Sequence, residues 1–101
     1  MLKQNEKLNI KLVSDALKPV FDKYNVKKAV LFGSVAKNKN DVYSDVDVMV
    51  DSGLKGIAFY GLFEAVVEIL NKKVDLIDLS QIEPGSRIEQ EIINTGVQIY
   101  G

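Results

Sequence analysis

Apolar residues along the chain follow two spacings, the three-to-four-residue repeat of helices and the two-residue alternation of strands. The helical repeat is clearest from Leu8 to Val20, and the alternation is clearest from Val46 to Val50. Together the two spacings predict helices at residues 6–24, 33–36, 57–70 and 87–94, and strands at residues 28–32, 45–50, 73–79 and 97–100. Strands separated by helices favour an α/β (α+β) fold, in which a small mixed sheet of about four strands has helices packed on one face.

Two of these helices leave alternatives open. Pro19 falls late in the first helical run, so this helix either begins anew at Ser14 or is kinked at the proline. The helix at residues 57–70 has an apolar arc of about 200°, twice the width expected of a helix at the surface. It either packs deeply in the core or presents one flank, with Phe59 and Phe63, to a second copy or another protein.

Composition and charge restrict the chemistry. The 101 residues are 47% hydrophobic and 27% charged, which suits a single globular domain at residues 1–101. The chain has no cysteine and no histidine, which excludes disulfides, thiolate nucleophiles, the common zinc sites and histidine-based triads. A net charge of -1 argues against a nucleic-acid partner. The sequence has no signal-peptide or membrane-spanning run, so we expect a cytoplasmic protein.

A pair of carboxylates lies on the second predicted strand. Asp45 and Asp47 are two residues apart and share one face of the strand, whereas the alternating valines face the core. Such neighbours repel each other, and Mg²⁺, which binds one or two carboxylates together with substrate phosphates, would remove the repulsion. A polar strand face in water has the same alternation, so the pair alone does not distinguish these interpretations.

A glycine and a serine follow the first predicted strand. Gly33 would let the backbone approach a phosphate closely, and Ser34 would offer a hydroxyl at the start of the next helix. An ordinary turn with a serine cap has the same sequence. Because the strands that carry Gly33, Asp45 and Asp47 can lie side by side, the combination predicts a phosphate site that faces a metal-binding carboxylate pair.

The spacing of these residues resembles a known signature. Gly33-Ser34, a gap of ten residues and Asp45-Val46-Asp47 match the pattern of the DNA polymerase beta nucleotidyltransferase superfamily. The small size, the leading helix, the "LFGS" sequence and the terminal "GVQIY" sequence are similar to the minimal nucleotidyltransferases (MNT), which are typically paired with a HEPN-domain toxin. The resemblance implies a polymerase-beta-like nucleotidyltransferase fold.

The resemblance also implies roles for single residues. Ser34, next to Gly33, would contact the terminal phosphates of ATP, and Asp45 and Asp47 would be catalytic residues that bind Mg²⁺, with two ions expected. Relatives often carry arginine, arginine and glycine where this chain has Val35, Lys37 and Asn38. Lys37 would therefore keep a positive charge near the phosphates.

A third carboxylate from the neighbouring strand completes the site in the family. Asp75 and Asp78 are the candidates, and because they are an odd number of positions apart they face opposite sides of the sheet. We favour Asp75 as a catalytic and metal-binding residue, because it lies mid-strand between Val74 and Leu76, where a carboxylate without a partner would be costly. Asp78 is better explained by solvent or by capping of the segment that follows.

The activity that the resemblance implies is Mg²⁺-dependent transfer of AMP from ATP to an acceptor hydroxyl. The expected acceptor is a tyrosine of a cognate HEPN toxin, which makes the chain an antitoxin. The alternative is a non-catalytic antitoxin or binding subunit that neutralises its partner by contact. A transferase that modifies an antibiotic or RNA would need a further domain to hold its acceptor.

Overall fold

The chain forms a four-stranded mixed sheet, and the computed structural model describes all of residues 1–101. The helices are α1 (Ile10–Lys23), α2 (Gly33–Ala36), α3 (Gly56–Leu70) and α4 (Arg87–Thr95). The strands are β1 (Lys28–Phe32), β2 (Val46–Asp51), β3 (Val74–Asp78) and β4 (Val97–Tyr100), and a 3₁₀ turn at Leu79–Gln81 follows β3. No helix has both the length and the apolar character that crossing a membrane requires.

The strands are ordered β3-β2-β1-β4. β1 pairs antiparallel with both β2 and β4, whereas β2 and β3 run parallel. The parallel pair is joined by α3, as a crossover between parallel strands requires. The predicted mixed sheet and the order of its elements are confirmed.

The main core lies between one face of the sheet and the helices α1 and α3. Alternate residues of β2 are fully buried there, as the alternation predicts, and they meet apolar residues spaced along both helices. The largest contributors from the helices are Leu17, Phe21, Leu62 and Leu70.

The opposite face of the sheet is also covered, so the expectation that the helices pack on one face is wrong. Val30, Phe32 and Met49 point to this second face and form a separate buried cluster. Ile92 of α4 packs against them, together with Ile77. Because both faces of β1 and β2 carry apolar side chains, each face must be covered by a helix.

Helix α1 begins at Ile10 rather than near residue 6, and it runs through Ser14 without a new start. Asn9 is the cap, and its side chain accepts a hydrogen bond from the Leu12 backbone N–H at 2.8 Å. Pro19 lies inside the helix and is exposed. At Asn25 the backbone turns into the left-handed region, with φ of 56°, and the segment closes there as predicted.

Helix α3 is only partly buried, and the expectation that Phe59 faces outward is wrong. Phe59 packs against the main core, whereas Ile57 and Tyr60 are exposed. Phe63 is half-buried and lies beside the Tyr60 ring, with 6.1 Å between the ring centroids. The exposed flank of α3 therefore contains Ile57 and Tyr60 rather than Phe59.

Helix α4 begins with the capping arrangement that a Ser-x-x-Glu sequence favours. The Ser86 hydroxyl accepts a hydrogen bond from the Glu89 N–H at 3.2 Å, and the Glu89 carboxylate accepts one from the Gly85 N–H at 2.8 Å. The helix ends at Thr95, and Gly96 follows as its cap. The second half of α4 reaches the turn between β1 and α2, where the candidate site lies.

Candidate active site

The site is organised by the pairing of three strands. In the parallel ladder Asp47 of β2 is the register partner of Asp75 of β3, and in the antiparallel ladder Asp47 is opposite Phe32 of β1. Gly33 directly follows Phe32. The sheet therefore brings together three of the residues that the sequence singled out, Gly33, Asp47 and Asp75.

Gly33 occupies a position that strongly favours glycine. Its φ of +76° lies in the left-handed region, and a Cβ atom there would overlap the Asp47 carboxylate and lie 3.4 Å from Glu91 Oε1. The Gly33 N–H donates to the Thr95 hydroxyl at 3.0 Å, and that hydroxyl donates to the Glu91 carbonyl at 2.7 Å. The last turn of α4 thus holds the glycine turn against the Asp47 side chain.

Asp47 is the electrostatic centre of the site. Its half-burial raises the pKa of the carboxyl to about 6, with further contributions from the charge of Asp75, a hydrogen bond to Asp75, and the charges of Glu91 and Asp45. Each of these effects disfavours the ionised form. A cation placed among these carboxylates would instead favour the ionised form of Asp47.

Asp45 lies in the loop directly before β2, and its side chain is 43% exposed. The loop is held by distant groups: the Lys72 ammonium donates to the Val42 carbonyl at 2.6 Å, and the Asn40 amide donates to the Leu8 carbonyl at 2.8 Å. Lys73 Nζ lies 4.0 Å from Asp45 Oδ2. These contacts tie the loop that leads into β2 to the segment before α1 and to the start of β3.

The two candidates for the third carboxylate are on opposite faces, as their spacing predicts. Asp75 is exposed, so the expectation of a costly mid-strand carboxylate does not hold, although its place beside Asp47 does. Asp78 is buried on the core side, and the expectation that it faces solvent is wrong. Its carboxylate accepts hydrogen bonds from the N–H and hydroxyl groups of Ser52 and Ser80.

Burial by itself would raise the pKa of Asp78, but the hydrogen bonds from Ser52 and Ser80 outweigh it and hold the pKa below its ordinary value. The bond to the Ser80 N–H caps the 3₁₀ turn, which agrees with the expected capping role. Asp78 is thus fully engaged in holding the end of β3 to the end of β2. Its carboxylate is not part of the site around Asp47.

The segment after Gly33 departs from the family pattern in ways that its structure explains. Val35 is buried in the main core, so a long cationic side chain would not fit there. Asn38 has φ of 57°, and asparagine is among the few residues that adopt the left-handed conformation in place of glycine. Ser34 is partly exposed at the start of α2, and Lys37 is exposed directly after it.

Two residues of the site were not found from the sequence. Glu91 and Thr95 are four positions apart on α4 and therefore share the face of the helix that meets Gly33. The only sequence signal is that i,i+4 spacing. Nothing local connects either residue to Gly33, which lies 62 positions before Thr95.

The carboxylates do not form a closed metal cage, because no group of three His, Cys, Asp or Glu side chains is placed to hold an ion. Mg²⁺ commonly takes one or two carboxylates and completes its coordination with water and phosphate oxygens. Asp45, Asp47 and Asp75 supply hard oxygen donors whose mutual repulsion a cation would relieve. The donor chemistry therefore fits Mg²⁺ that is bound together with a nucleotide.

A groove of about 580 Å³ opens beside the carboxylates. Asp47, Asp75 and Glu91 line one part of it, and the rest is mostly apolar. The apolar lining comes from Phe32, Phe63, Val74, Leu76, Ile77 and Ile88. A molecule with an apolar body and a polar end would match the apolar and acidic parts of this groove.

Comparison with known proteins gives a consistent result. Residues 15–101 match the family model described as polymerase beta, nucleotidyltransferase. A protein of Methanocaldococcus jannaschii, provisionally named a protein adenylyltransferase, is 30% identical over 95 residues, which cover 91% of this chain and 99% of that protein.

Two similar solved structures are toxin–antitoxin complexes. One, a toxin-antitoxin with AMP-PNP, is 24% identical, with a TM-score of 0.74 over 87% of this chain and 73% of the other. The second contains a tri-AMPylated Shewanella oneidensis HEPN toxin and its MNT antitoxin. It is 23% identical, with a TM-score of 0.69 over 91% of this chain and 72% of the other. At these identities the likeness establishes the fold.

Proposed function

The chain belongs to the polymerase beta nucleotidyltransferase family, and we propose that it transfers AMP from ATP to a hydroxyl group of a partner protein. The observation that carries this proposal is the register of Asp47 and Asp75 on neighbouring parallel strands, directly against the Gly33 turn. A glycine turn that closely approaches clustered carboxylates suits a site for a metal–triphosphate complex.

Different residues of the site would bind the metal and the phosphates. Asp45 and Asp47 would hold Mg²⁺, with Asp75 as the third carboxylate, and two ions are expected between them. Ser34 and Lys37 would contact the phosphates from the side of Gly33. Mg²⁺, when bound, supplies charge neutralisation on the triphosphate.

The transfer itself is a displacement at the α-phosphorus of ATP. The acceptor oxygen forms a bond to the α-phosphorus, the bond from that phosphorus to the bridging oxygen of the β-phosphate breaks, and pyrophosphate leaves. The proton of the acceptor hydroxyl passes to Asp75 or to water beside it. Because Asp75 is exposed, a hydroxyl on a second protein can reach it.

The proposed acceptor is a tyrosine of a HEPN-domain toxin. Two findings support this choice: the solved complex of similar fold contains an AMPylated HEPN toxin, and the relative from Methanocaldococcus jannaschii is named for protein adenylylation. The groove beside Asp75, apolar with a carboxylate end, suits a phenol better than a small aliphatic hydroxyl. In this role the chain is an antitoxin that silences its partner by modification.

The test uses ATP labelled in its α-phosphate, the purified chain and the HEPN-domain toxin proposed as its partner. Asp45→Asn combined with Asp47→Asn should abolish transfer of the label, whereas Asp15→Asn, an exposed carboxylate on α1, should leave transfer unchanged. Circular dichroism checks that both proteins fold. Persistent labelling by the double variant would contradict the assigned site. If the double variant transfers no label and still neutralises the toxin, the chain acts by contact as a binding subunit.

A further inference from the structure

β3 is an edge strand, and one side of it is unpaired. It hydrogen-bonds to β2 alone. The Val46 N–H donates to the Lys73 carbonyl at 3.0 Å, and successive residues of a strand direct their backbone groups to opposite sides. The N–H and C=O groups of Val74 and Leu76 therefore point away from β2, toward the free edge.

The groove beside the carboxylates runs along this free edge. Val74, Asp75, Leu76 and Ile77 all line it, although alternate residues belong to opposite faces of the sheet. Only a groove at the edge of the strand touches four consecutive residues in this way. Phe63 of α3 forms one wall, and side chains of the 3₁₀ turn and α4 form the other.

We propose that the acceptor segment of the partner protein binds as an extended strand along the free edge of β3, with its tyrosine ring in the groove. The proposal rests on the function proposed above and specifies how the acceptor is held. The backbone groups of Val74 and Leu76 recognise a peptide main chain, which is the basis of strand addition. The phenol then points toward Asp75 and Asp47, where the α-phosphate would lie.

Charge selects the kind of segment that binds. Asp47, Asp75 and Glu91 line the groove, and no lysine or arginine does. A segment with lysine or arginine near its tyrosine is therefore favoured in the metal-free protein, and Glu91, which is not assigned to the metal, keeps this preference when Mg²⁺ is bound. Pairing of β3 with β3 of a second copy is disfavoured, because it would bring two sets of the same carboxylates together.

Amide hydrogen exchange tests the docking without any need for catalysis. The probe is a short synthetic peptide with a central tyrosine between alternating valine and lysine residues. At saturating peptide the amides of Val74 and Leu76 should exchange about tenfold more slowly. The amides of Asp75 and Ile77, which face β2, serve as an internal control and should not change.

Methylation of single peptide nitrogens tests the main-chain contacts. Methyl groups on the amides that face β3 should weaken binding about tenfold each, and methyl groups on the intervening amides should have little effect. Equal effects of the two sets would overturn the strand-addition geometry. So would a complex in which Val74 and Leu76 exchange as fast as in the free protein.

A pair of matched variants tests the groove. Ile88→Ala removes a groove wall on α4, whereas Ile93→Ala removes an equally large and more exposed side chain of the same helix outside the groove. Ile88→Ala should raise the peptide KM for AMP transfer about tenfold, with the KM for ATP unchanged. Ile93→Ala should change neither value.

The two readouts separate this proposal from the proposed function. Transfer to the peptide with no protection of Val74 and Leu76 would overturn the docking mode and leave the transferase function standing. Protection of these amides without any transfer would leave the docking standing and count against the function. A chain that dimerises through β3 and excludes the peptide would overturn the docking proposal directly.

Discussion

Replacing Asp47 by asparagine should stabilise the nucleotide-free protein at neutral pH. In the folded chain burial, together with Asp75, Glu91 and Asp45, raises the pKa of this carboxyl to about 6, from 3.8 in the unfolded chain. The folded state therefore binds the proton more tightly than the unfolded state. The contribution of Asp47 to stability falls as the pH rises from about 4 to about 6 and stays low above that range.

The size of the effect follows from the two pKa values. They differ by about two units, and each unit corresponds to about 1.4 kcal/mol, so a fully buried group would destabilise the neutral-pH fold by about 3 kcal/mol. Asp47 is half-buried, and solvent screening reduces this figure to about 1 kcal/mol. For a chain of this length that corresponds to a rise in Tm of about 4–8 °C.

The assay is thermal unfolding followed by circular dichroism in EDTA, at about pH 7.5 and at about pH 4. Asp47→Asn should be more stable than the natural chain at the higher pH and nearly equal to it at the lower. Asp15→Asn serves as the control: it breaks only the exposed Lys11–Asp15 ion pair, so it should lower Tm slightly near neutral pH and raise it at neither pH. A gain that is absent at the higher pH, or equal at both, would refute the assignment of carboxylate repulsion to this site.

Three further predictions concern single positions. Gly33→Ala should lower the free energy of unfolding by about 2 kcal/mol or more and abolish transfer. Gly53→Ala should lower it by only about 1 kcal/mol, because Gly53 has a similar φ of +69° but no atom within 4 Å of the added Cβ. Equal losses in urea unfolding would argue against contact between Gly33 and Asp47. Asp75→Asn should depress AMP transfer and, because it relieves the repulsion of Asp47, should not lower stability. Asp78→Asn should lower stability by about 1–3 kcal/mol through lost hydrogen bonds to the serines. Because the pKa of Asp78 is lowered by folding, its contribution is present above the ordinary carboxyl pKa and is lost as the pH falls below it, so the two variants should differ less in acid. Asn38→Gly should be as stable as the natural chain, whereas Asn38→Ala should lower the free energy of unfolding by about 1 kcal/mol, because only alanine is strained at a φ of 57°. Equal melting temperatures of the two variants would show that the left-handed backbone does not explain the asparagine at this position.

Much of the site could be predicted because its signals are local. The alternation in β2 sets which side chains share a face, so Asp47 is separated from the core valines whatever the rest of the chain does. The odd spacing of Asp75 and Asp78 predicts their opposite faces in the same way. A glycine after a buried strand predicts a sharp turn, and Gly33 forms one.

The burial of Asp75 and Asp78 differs from the expectation. The sequence favours Asp75 as a mid-strand carboxylate that is costly without a partner, yet Asp75 is exposed and Asp78 is the buried one. The alternation in β3 places Asp78 on the same face as Val74 and Leu76, but whether that face of an edge strand is covered depends on the packing of distant elements. The hydrogen bonds that make burial of Asp78 tolerable come from Ser52 and Ser80, of which only Ser80 is nearby in the sequence.

The strands, the faces of their side chains and the glycine turn can be predicted from short stretches of sequence, because they depend on backbone sterics and on periodicity over a few residues. The register of Asp47 with Asp75 and the packing of α4 on the second face of the sheet depend on contacts between distant parts of the chain. That packing brings Glu91 and Thr95 to Gly33 from the other end of the chain. Register and packing minimise exposed apolar surface over the whole chain at once, so no local stretch of sequence contains them.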